Sequence, residues 1–322
     1  MNIVSKKSEK VKTFCAEKWT EHKILSFQVS QKMMKINKAR GYRMRDCGTF
    51  IKMSYCNDCD SYFVESTNLC RDRFCPTCNW RLSLQRYVNM KLLLDDFYLA
   101  YPKTVITFLT LTAKNCNVKD LSSTMEKMSK AWHNLNCRRT VKKEIRGTAR
   151  SVEVTYNKNT KEFHPHYHVL IAWESENKKE CEILSKDIIN KWLECCEKNE
   201  LKADIKGQCA KNIYGEEVKK ENGEKNDNSM ASAVVEVFKY AFKSKQLDDM
   251  PLNIFRTFAE EFAGKRLVSF TGKFAEYARA LKLEMEKVKE DDIKICKHCG
   301  SENLDKIIYE WSFGEQAYKR IQ

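Results

Sequence analysis

Two Cys-x2-Cys pairs place the strongest local constraint on what this chain can fold into. Cys56 and Cys59 form the first pair, and Cys75 and Cys78 form the second after an interval of fifteen residues. Four thiolates at this spacing are typical of a structural zinc site, in which two short loops close onto one ion. Cys70 is an alternative ligand, since its spacing to Cys75 also suits a metal. The pattern predicts an N-terminal, Cys-rich, zinc-binding segment.

A third pair, Cys296 and Cys299, stands near the end of the chain with no further pair after it. By itself this pair is half of a zinc-ribbon site. Three interpretations are open: another chain completes the site, the pair is a remnant of such a site, or the pair arose by chance. The chain has 15 Cys, and its N-terminus lacks the apolar segment of a secretory signal. We therefore expect reduced thiols and metal ligands in a cytoplasmic protein.

The charge balance favours a polyanionic partner. Lys and Arg number 58 against 44 Asp and Glu, which gives a net charge of +14. Nucleic acid is the first candidate and an anionic membrane surface the second, with a merely solubilising surface as the alternative. No segment approaches the roughly 18 apolar residues of a membrane span, so no membrane partner is expected. Candidate phosphate contacts near the Cys pairs are Arg71, Arg73, Arg81 and Arg86.

Hydrophobic periodicity predicts an α+β fold in which helices flank a central antiparallel sheet. Helices are predicted in the basic arm 1–45 and over 80–99, 120–135, 178–199, 230–245 and much of 250–290. Strands are predicted over 104–112, 151–157 and 166–172, and a polar loop over 206–229. The predicted segments are 1–99 (arm, Cys segment and helix), 100–245 (central domain) and 246–322 (helical C-terminal region).

The strand 166–172 carries a candidate metal site. His166 and His168 are two residues apart, so a strand turns both imidazoles to one face. Glu153 lies on the partner strand of the predicted hairpin, and a His-His-carboxylate set suits Mn²⁺ or Mg²⁺, with Zn²⁺ as an alternative. Pro165 cannot donate to a ladder, so pairing is expected to start near 166 and the facing of His164 is less defined. The competing interpretation is a chance pair of strand histidines.

The predicted helix 230–245 places Glu236, Tyr240 and Lys243 on one face. A phenol with a pKa of about 10 is a poor nucleophile at neutral pH. A neighbouring lysine and a metal-polarised phosphate would favour the phenolate and its attack. The alternative is an ordinary ion pair of Glu236 with Lys239 or Lys243 beside a surface tyrosine.

Three motifs in a fixed order resemble those of a known family. They are Phe108-Leu109-Thr110-Leu111-Thr112, His164-Pro165-His166-Tyr167-His168 and Glu236-x2-Lys239-Tyr240-x2-Lys243. In this order they resemble the motifs of rolling-circle plasmid replication initiators, which belong to the HUH endonuclease superfamily. The likeness is to the branch with one tyrosine and a nearby glutamate. It covers residues 100–245 and the Cys-rich region before them.

The resemblance implies a nicking mechanism and a ferredoxin-like sheet, with the histidines on an exposed face and the Tyr240 helix lying across them. It implies that Tyr240 attacks one strand at the double-strand origin and retains the 5′ end as a phosphotyrosine. His166, His168 and Glu153 would hold the catalytic cation, and Glu236 would activate water for the terminating cleavage. Lys243 and Lys239 would be the accompanying cations, with His164 as a weaker candidate ligand.

The resemblance also implies partners and a location. These are the single- and double-stranded DNA of a plasmid origin, a host DNA helicase and a host DNA polymerase, in the cytoplasm of a bacterium.

Two alternative functions remain open. An HUH transposase or mobilisation relaxase is one alternative. A nonenzymatic zinc-ribbon regulator that binds nucleic acid is another. The regulator explains the cysteines and the charge, but it gives no reason for the histidine pair and the tyrosine helix.

Overall fold

The structure, a computed structural model, describes residues 3–213, 230–238, 242–283 and 294–321. Its helices are α1 (Ile3–Ile36), α2 (Lys38–Arg45), α3 (Pro76–Ala100), α4 (Leu121–Cys137), α5 (Arg139–Glu144), α6 (Lys178–Lys198), α7 (Met230–Phe238), α8 (Ser244–Asp249), α9 (Leu252–Glu261) and α10 (Gly272–Ala280). Its strands are β1 (Phe50–Cys56), β2 (Tyr62–Thr67), β3 (Ile106–Thr112), β4 (Cys116–Asn117), β5 (Ile145–Asn157), β6 (Glu162–Trp173), β7 (Cys209–Ile213), β8 (Val268–Thr271), β9 (Leu304–Ser312) and β10 (Ala317–Arg320). Antiparallel sheets flanked by helices confirm the predicted mixed class.

The chain divides into two compact units. The first unit comprises Met1–Leu82 together with Glu286–Gln322, and the second unit comprises Ser83–Met285. This division differs from the segments 1–99, 100–245 and 246–322 expected from the sequence. The C-terminal residues join the N-terminal ones because β9 pairs with β1 along its length.

The first unit contains a four-stranded antiparallel sheet in the order β10-β9-β1-β2. In β9, Ile307, Tyr309 and Trp311 are buried at alternate positions, which is the period of a strand with one covered face. Ile307 and Tyr309 pack with Trp19 of α1 and with residues of β1 in one apolar cluster. Strands β9 and β10 therefore form a hairpin inside a sheet, where the sequence predicted a helical C-terminal region over 246–322.

The second unit contains a six-stranded antiparallel sheet. Five strands follow the order β7-β3-β6-β5-β8, and β4 pairs with β6. The predicted hairpin is β5–β6, and its turn is fixed by the Asn157 side chain, which accepts hydrogen bonds from the backbone of Asn159 and Thr160. Pairing extends to Glu162, so Pro165 lies within the paired strand and does not delay its start.

Helices cover both faces of this sheet, and this corrects the expectation of an exposed histidine face. On one face Phe108, Ala149 and Leu170 pack with residues of α3, α7 and α10. On the other, Tyr167 contacts Trp132 of α4 and Trp192 of α6. Apolar residues lie on the same face of the sheet as the histidines and need to be buried. The helices that cover these apolar residues also cover the histidines.

Three further local predictions need correction. The loop expected over 206–229 includes β7, which pairs with β3 at the sheet edge. The helical stretch expected over 250–290 includes β8, which pairs with β5. The single helix expected over 230–245 is interrupted, since Lys243 has extended backbone angles and precedes α8. In the part of the chain that the structure describes, no helix has the length and hydrophobicity to cross a membrane.

Candidate functional site

A carboxylate and two imidazoles meet on the β5–β6 ladder. The register sets Glu153 opposite His166, and His168 follows two residues later on the same face. Oε2 of Glu153 lies 2.9 Å from Nε2 of His168 and 3.2 Å from Nε2 of His166. His166 and His168 are 8% and 5% exposed. The three predicted ligands therefore converge, in a more sheltered position than the sequence suggested.

The other ring nitrogens of these histidines face oxygen atoms. Nδ1 of His166 lies 3.3 Å from the carbonyl oxygen of His164, and Nδ1 of His168 lies 3.4 Å from Oγ1 of Thr110. Phe108 stacks on the His168 ring at a centroid distance of 5.4 Å. A proton on Nδ1, held by such an acceptor, leaves the Nε2 lone pair free for a cation.

This donor set fits a divalent cation. The ligand atoms of Glu153, His166 and His168 lie within 4.8 Å of one another. Two imidazoles and one carboxylate leave coordination positions open for water or a substrate oxygen. The hard carboxylate suits Mn²⁺ or Mg²⁺, and the imidazoles also accept Zn²⁺.

His164, the weaker candidate, does not join this group. Its Nδ1 lies 2.8 Å from Oδ1 of Asn115. Burial lowers the pKa of the His164 imidazole, and the neighbouring His166 lowers it further. The backbone carbonyl of His164 faces Nδ1 of His166, and the two imidazole rings lie 5.2 Å apart between centroids, but His164 adds no ligand atom to the cluster.

Two predicted residues approach the cluster from outside the sheet. Oε1 of Glu236, near the end of α7, lies 3.7 Å from Nε2 of His168. Nζ of Lys243 lies 3.8 Å from Oε1 of Glu153. Lys243 reaches this position from extended backbone rather than from the helix of Glu236. Tyr240 and Lys239, the other predicted residues of this segment, lie outside the described residues.

Four thiols form a first thiol cluster in the first unit. Its members are Cys47, Cys70, Cys75 and Cys78, with their Sγ atoms within 4.8 Å of one another. Sγ of Cys78 lies 3.5 Å from that of Cys47 and 3.6 Å from that of Cys70. Four convergent thiols match the donor set of a closed zinc site.

The predicted grouping of the cysteines is corrected by this arrangement. Cys56 and Cys59 do not meet Cys75 and Cys78; they form a second thiol cluster with Cys296 and Cys299. Strand β1 ends at Cys56 and pairs with β9, which begins five residues after Cys299. The sequence interval between the N-terminal pairs could not reveal this grouping, because it depends on two paired strands that lie about 250 residues apart in the sequence.

A buried cation accompanies the first thiol cluster. Lys23 is fully buried, and its Nζ donates to the carbonyl oxygens of Cys47 and Arg45. Burial lowers the pKa of this lysine, whereas Cys47 and Cys75 raise it. The carboxylate of Asp46 also raises this pKa, but no carboxylate among the described residues lies within salt-bridge distance of Lys23. A zinc ion with four thiolates has a net charge of about −2, so it would supply the missing counter-charge.

The four predicted phosphate contacts lie in different environments. Arg71 is exposed and Arg73 is half-buried. The Arg81 guanidinium lies 5.3 Å from the ring centroid of Trp19 and 5.6 Å from that of Trp80. Arg86 is 5% exposed. Burial therefore argues against Arg86 as a phosphate contact, and Arg71 remains the accessible candidate.

Comparison with known proteins decides the family. The family model Rep_1, described as "Replication protein", matches residues 61–319. The chain belongs to this replication protein family. The match extends over both units and includes the Glu153-His166-His168 cluster. The match confirms the prediction, made from the three motifs, that this chain is related to plasmid replication initiators.

Two curated relatives match over most of the chain, and a third matches over about half of it. A "Protein rep" of Lentilactobacillus hilgardii is 27% identical over 311 residues, which is 93% of this chain and 94% of the relative. A "Protein rep" of Lactiplantibacillus plantarum is 26% identical with the same coverage. One from Streptococcus pneumoniae is 33% identical over 163 residues, 49% of each chain. No solved structure matches this chain.

Proposed function

We propose that this protein initiates rolling-circle replication of a plasmid by nicking one DNA strand at the double-strand origin. The observation that carries the proposal is the shared oxygen of Glu153 between His166 and His168, with Glu236 beside them. Glu236 lies four residues before Tyr240 in the sequence. We assign the six-stranded sheet to a ferredoxin-like HUH palm. The strand that carries the histidines, β6, lies at the centre of this sheet, which supports the assignment.

Glu153, His166 and His168 would hold the catalytic cation, Mn²⁺ or Mg²⁺. Bound there, the cation supplies a Lewis acid for the scissile phosphate. The protein's own part is positional. The sheet fixes both imidazoles on one rigid strand, and Phe108 and Thr110 restrain the ring of His168. A rigid scaffold of this kind keeps the phosphate in line with its attacking group.

Tyr240 is the proposed nucleophile. Its phenol oxygen forms a bond to phosphorus while the bond from phosphorus to the 3′ oxygen breaks. The phenol loses a proton and the 3′ oxygen gains one, so one phosphodiester replaces another without an external energy source. The free 3′-OH then primes a host DNA polymerase, and a host helicase separates the strands.

Glu236 and Lys243 are assigned supporting roles. Lys243 is close to the carboxylate of Glu153 and brings a positive charge that would stabilise the phosphate as it reacts. Lys239 is proposed as a second such cation from its place in the motif alone. Glu236 is proposed to accept a proton from water in the terminating cleavage, and its position beside His168 supports that role.

The proposed substrate is origin DNA, bound first as duplex and cut as a single strand, in the bacterial cytoplasm. The net charge of +14 favours association with a polyanion. Arg71 is exposed next to Cys70 of the first thiol cluster, and Arg73 and Arg81 flank the same segment. Zn²⁺ in this cluster is proposed to stiffen a DNA-binding element and to take no part in the chemistry.

A nicking assay tests the proposal. Purified protein is incubated with a supercoiled plasmid that carries the origin and with Mn²⁺, and the open-circular product is measured. We expect nicking by the wild type, none after chelation, and strongly reduced nicking by His168→Ala. Glu126→Gln is the matched control, since Glu126 is an exposed carboxylate on α4. Tight origin binding without any nicking would support the nonenzymatic regulator instead.

A further inference from the structure

We propose that the second thiol cluster (Cys56, Cys59, Cys296 and Cys299) binds a zinc ion of its own, which fastens the C-terminal hairpin to the N-terminal hairpin. The four Sγ atoms lie within 4.8 Å of one another. Sγ of Cys56 lies 3.6 Å from that of Cys299, and Sγ of Cys59 lies 3.5 Å from that of Cys296. These distances exceed the roughly 2.05 Å of a disulfide bond.

The two halves of the cluster have the same local structure. Both sequences read Cys-x2-Cys-x-Ser, at 56–61 and at 296–301. In each, the backbone N–H of the first cysteine donates to the carbonyl of the serine at 2.7 Å. The residue after the second cysteine has positive φ in both, 56° at Asp60 and 76° at Gly300. Two matching turns that face each other with four thiols form a pair of metal-binding knuckles.

Polar contacts align the two knuckles. The backbone N–H of Asn57 donates to the carbonyl of Asn303 at 3.1 Å. The Asn303 side chain donates to Oδ1 of Asp58 at 2.9 Å, and the Ser301 hydroxyl donates to Oδ2 of the same carboxylate. The backbone N–H of His298 points to Sγ of Cys296 at 3.4 Å, a geometry in which it can donate to a metal-bound sulfur. The cluster is thus preorganised for an anionic sulfur site.

Core packing can account for Cys56 and Cys296, which are buried, but not for Cys59 and Cys299. Buried cysteines commonly act as small apolar residues. Cys299 is exposed and Cys59 is partly exposed, however, so their convergence buries little apolar area. A tetrathiolate zinc site explains why surface cysteines converge.

Binding would require no redox partner. Four thiols lose four protons to solvent and donate four lone pairs to Zn²⁺, and no electron is transferred. All four positions would be filled by protein, so the site is closed and structural. It would link Cys59 to Cys296 across 237 positions of sequence, which removes much of the entropy of the unfolded chain. Docking of β9 and β10 should therefore depend on the metal.

Site-resolved thiol labelling of the full-length wild type tests the site. The protein, purified without metal supplements, is treated with N-ethylmaleimide, and each cysteine is followed by peptide mass spectrometry. Cys137 is the internal reference, because it is exposed and belongs to neither thiol cluster. We expect Cys299 to react at least about tenfold more slowly than Cys137, and to react equally fast after a strong chelator removes the metal.

Zinc content provides the second readout. The double variant Cys296→Ser/Cys299→Ser should contain one zinc fewer per chain than the wild type, and Cys137→Ser should contain the same amount. Equal labelling of Cys299 and Cys137 in the untreated protein would overturn the proposal. So would protection of Cys299 that yields only to a reductant, since that result means a disulfide. If the double variant fails to fold, the labelling of the wild type still decides.

Discussion

Nε2 of His168 lies 2.9 Å from Oε2 of Glu153, although fifteen residues separate them in the chain. The hairpin brings them together, and the same oxygen also faces Nε2 of His166 at 3.2 Å. A single carboxylate oxygen shared by two buried imidazoles is well suited to a third partner that carries positive charge.

Glu153→Gln should weaken cation binding while the fold persists. The amide keeps the shape of the side chain but removes the negative charge that draws a cation between the imidazoles. We expect Mn²⁺ affinity to fall by about 100-fold, measured by isothermal titration calorimetry. Nicking should decline in parallel. Glu126→Gln should bind Mn²⁺ as the wild type does, and equal affinity in the two variants would contradict the assigned ligand set.

Glu236→Gln should separate the two proposed cleavages. The first cut depends on Tyr240, whereas the terminating cut needs a base for water. Loss of a general base typically costs about 10²–10⁴ in rate. We expect nicking within a few-fold of the wild type, together with accumulation of the covalent protein–DNA adduct in a quenched time course. Normal release of the DNA would show that another group activates water.

Lys23→Met should destabilise metal binding in the first thiol cluster. The methionine preserves the length of the buried side chain but removes the positive charge beside Cys47 and Cys75. We expect zinc to be lost to a competing chelator about 10–100-fold more readily, followed with a colorimetric zinc indicator. Lys18→Met is the matched control, because Lys18 is an exposed lysine of the same helix. Identical zinc loss from both variants would refute the counter-charge argument.

Glu65 should give the first unit a pH-dependent stability. Burial raises the pKa of this carboxyl, but hydrogen bonds from Lys306, Lys52 and Ser54 lower it to about 2, from 4.5. A folded-state pKa below the unfolded value stabilises the protein above about pH 4.5, and the gain is lost as the pH falls toward 2.

Urea unfolding of the wild type and of Glu65→Gln measures this contribution. The variant should be less stable by about 1–3 kcal/mol near neutral pH, because the buried hydrogen bonds to charged groups are lost. The difference between the two proteins should shrink as the pH is lowered below 4.5. A difference that stays constant with pH would show that the carboxyl charge is not responsible.

The local features of the second unit were predictable because they depend on neighbours in sequence. Alternation in the hairpin located His166 and His168 on one face, and a short turn placed Glu153 on the adjacent strand. Burial of these side chains was not predictable, because it depends on which helices return to cover the sheet. The extended backbone of Lys243 was also missed, since apolar spacing alone continues a helix through this residue.

The cysteine sites show the limit of spacing arguments. The interval from Cys59 to Cys75 suits a zinc site, yet each of these residues belongs to a different thiol cluster. A sequence signal for the correct pairing did exist, namely the repeat of Cys-x2-Cys-x-Ser at 56–61 and 296–301. Its significance depends on the long-range pairing of β1 with β9, which no local pattern specifies.

A covalent-adduct assay tests the central claim most directly. Protein and Mn²⁺ are incubated with labelled single-stranded origin DNA, and a denaturing gel separates free DNA from DNA attached to protein. We predict an adduct with the wild type and with the control Tyr62→Phe, a substitution of an exposed tyrosine, and none with Tyr240→Phe. Peptide mapping should place the label on Tyr240. An adduct that persists in Tyr240→Phe would contradict the account, because another residue would then be the nucleophile.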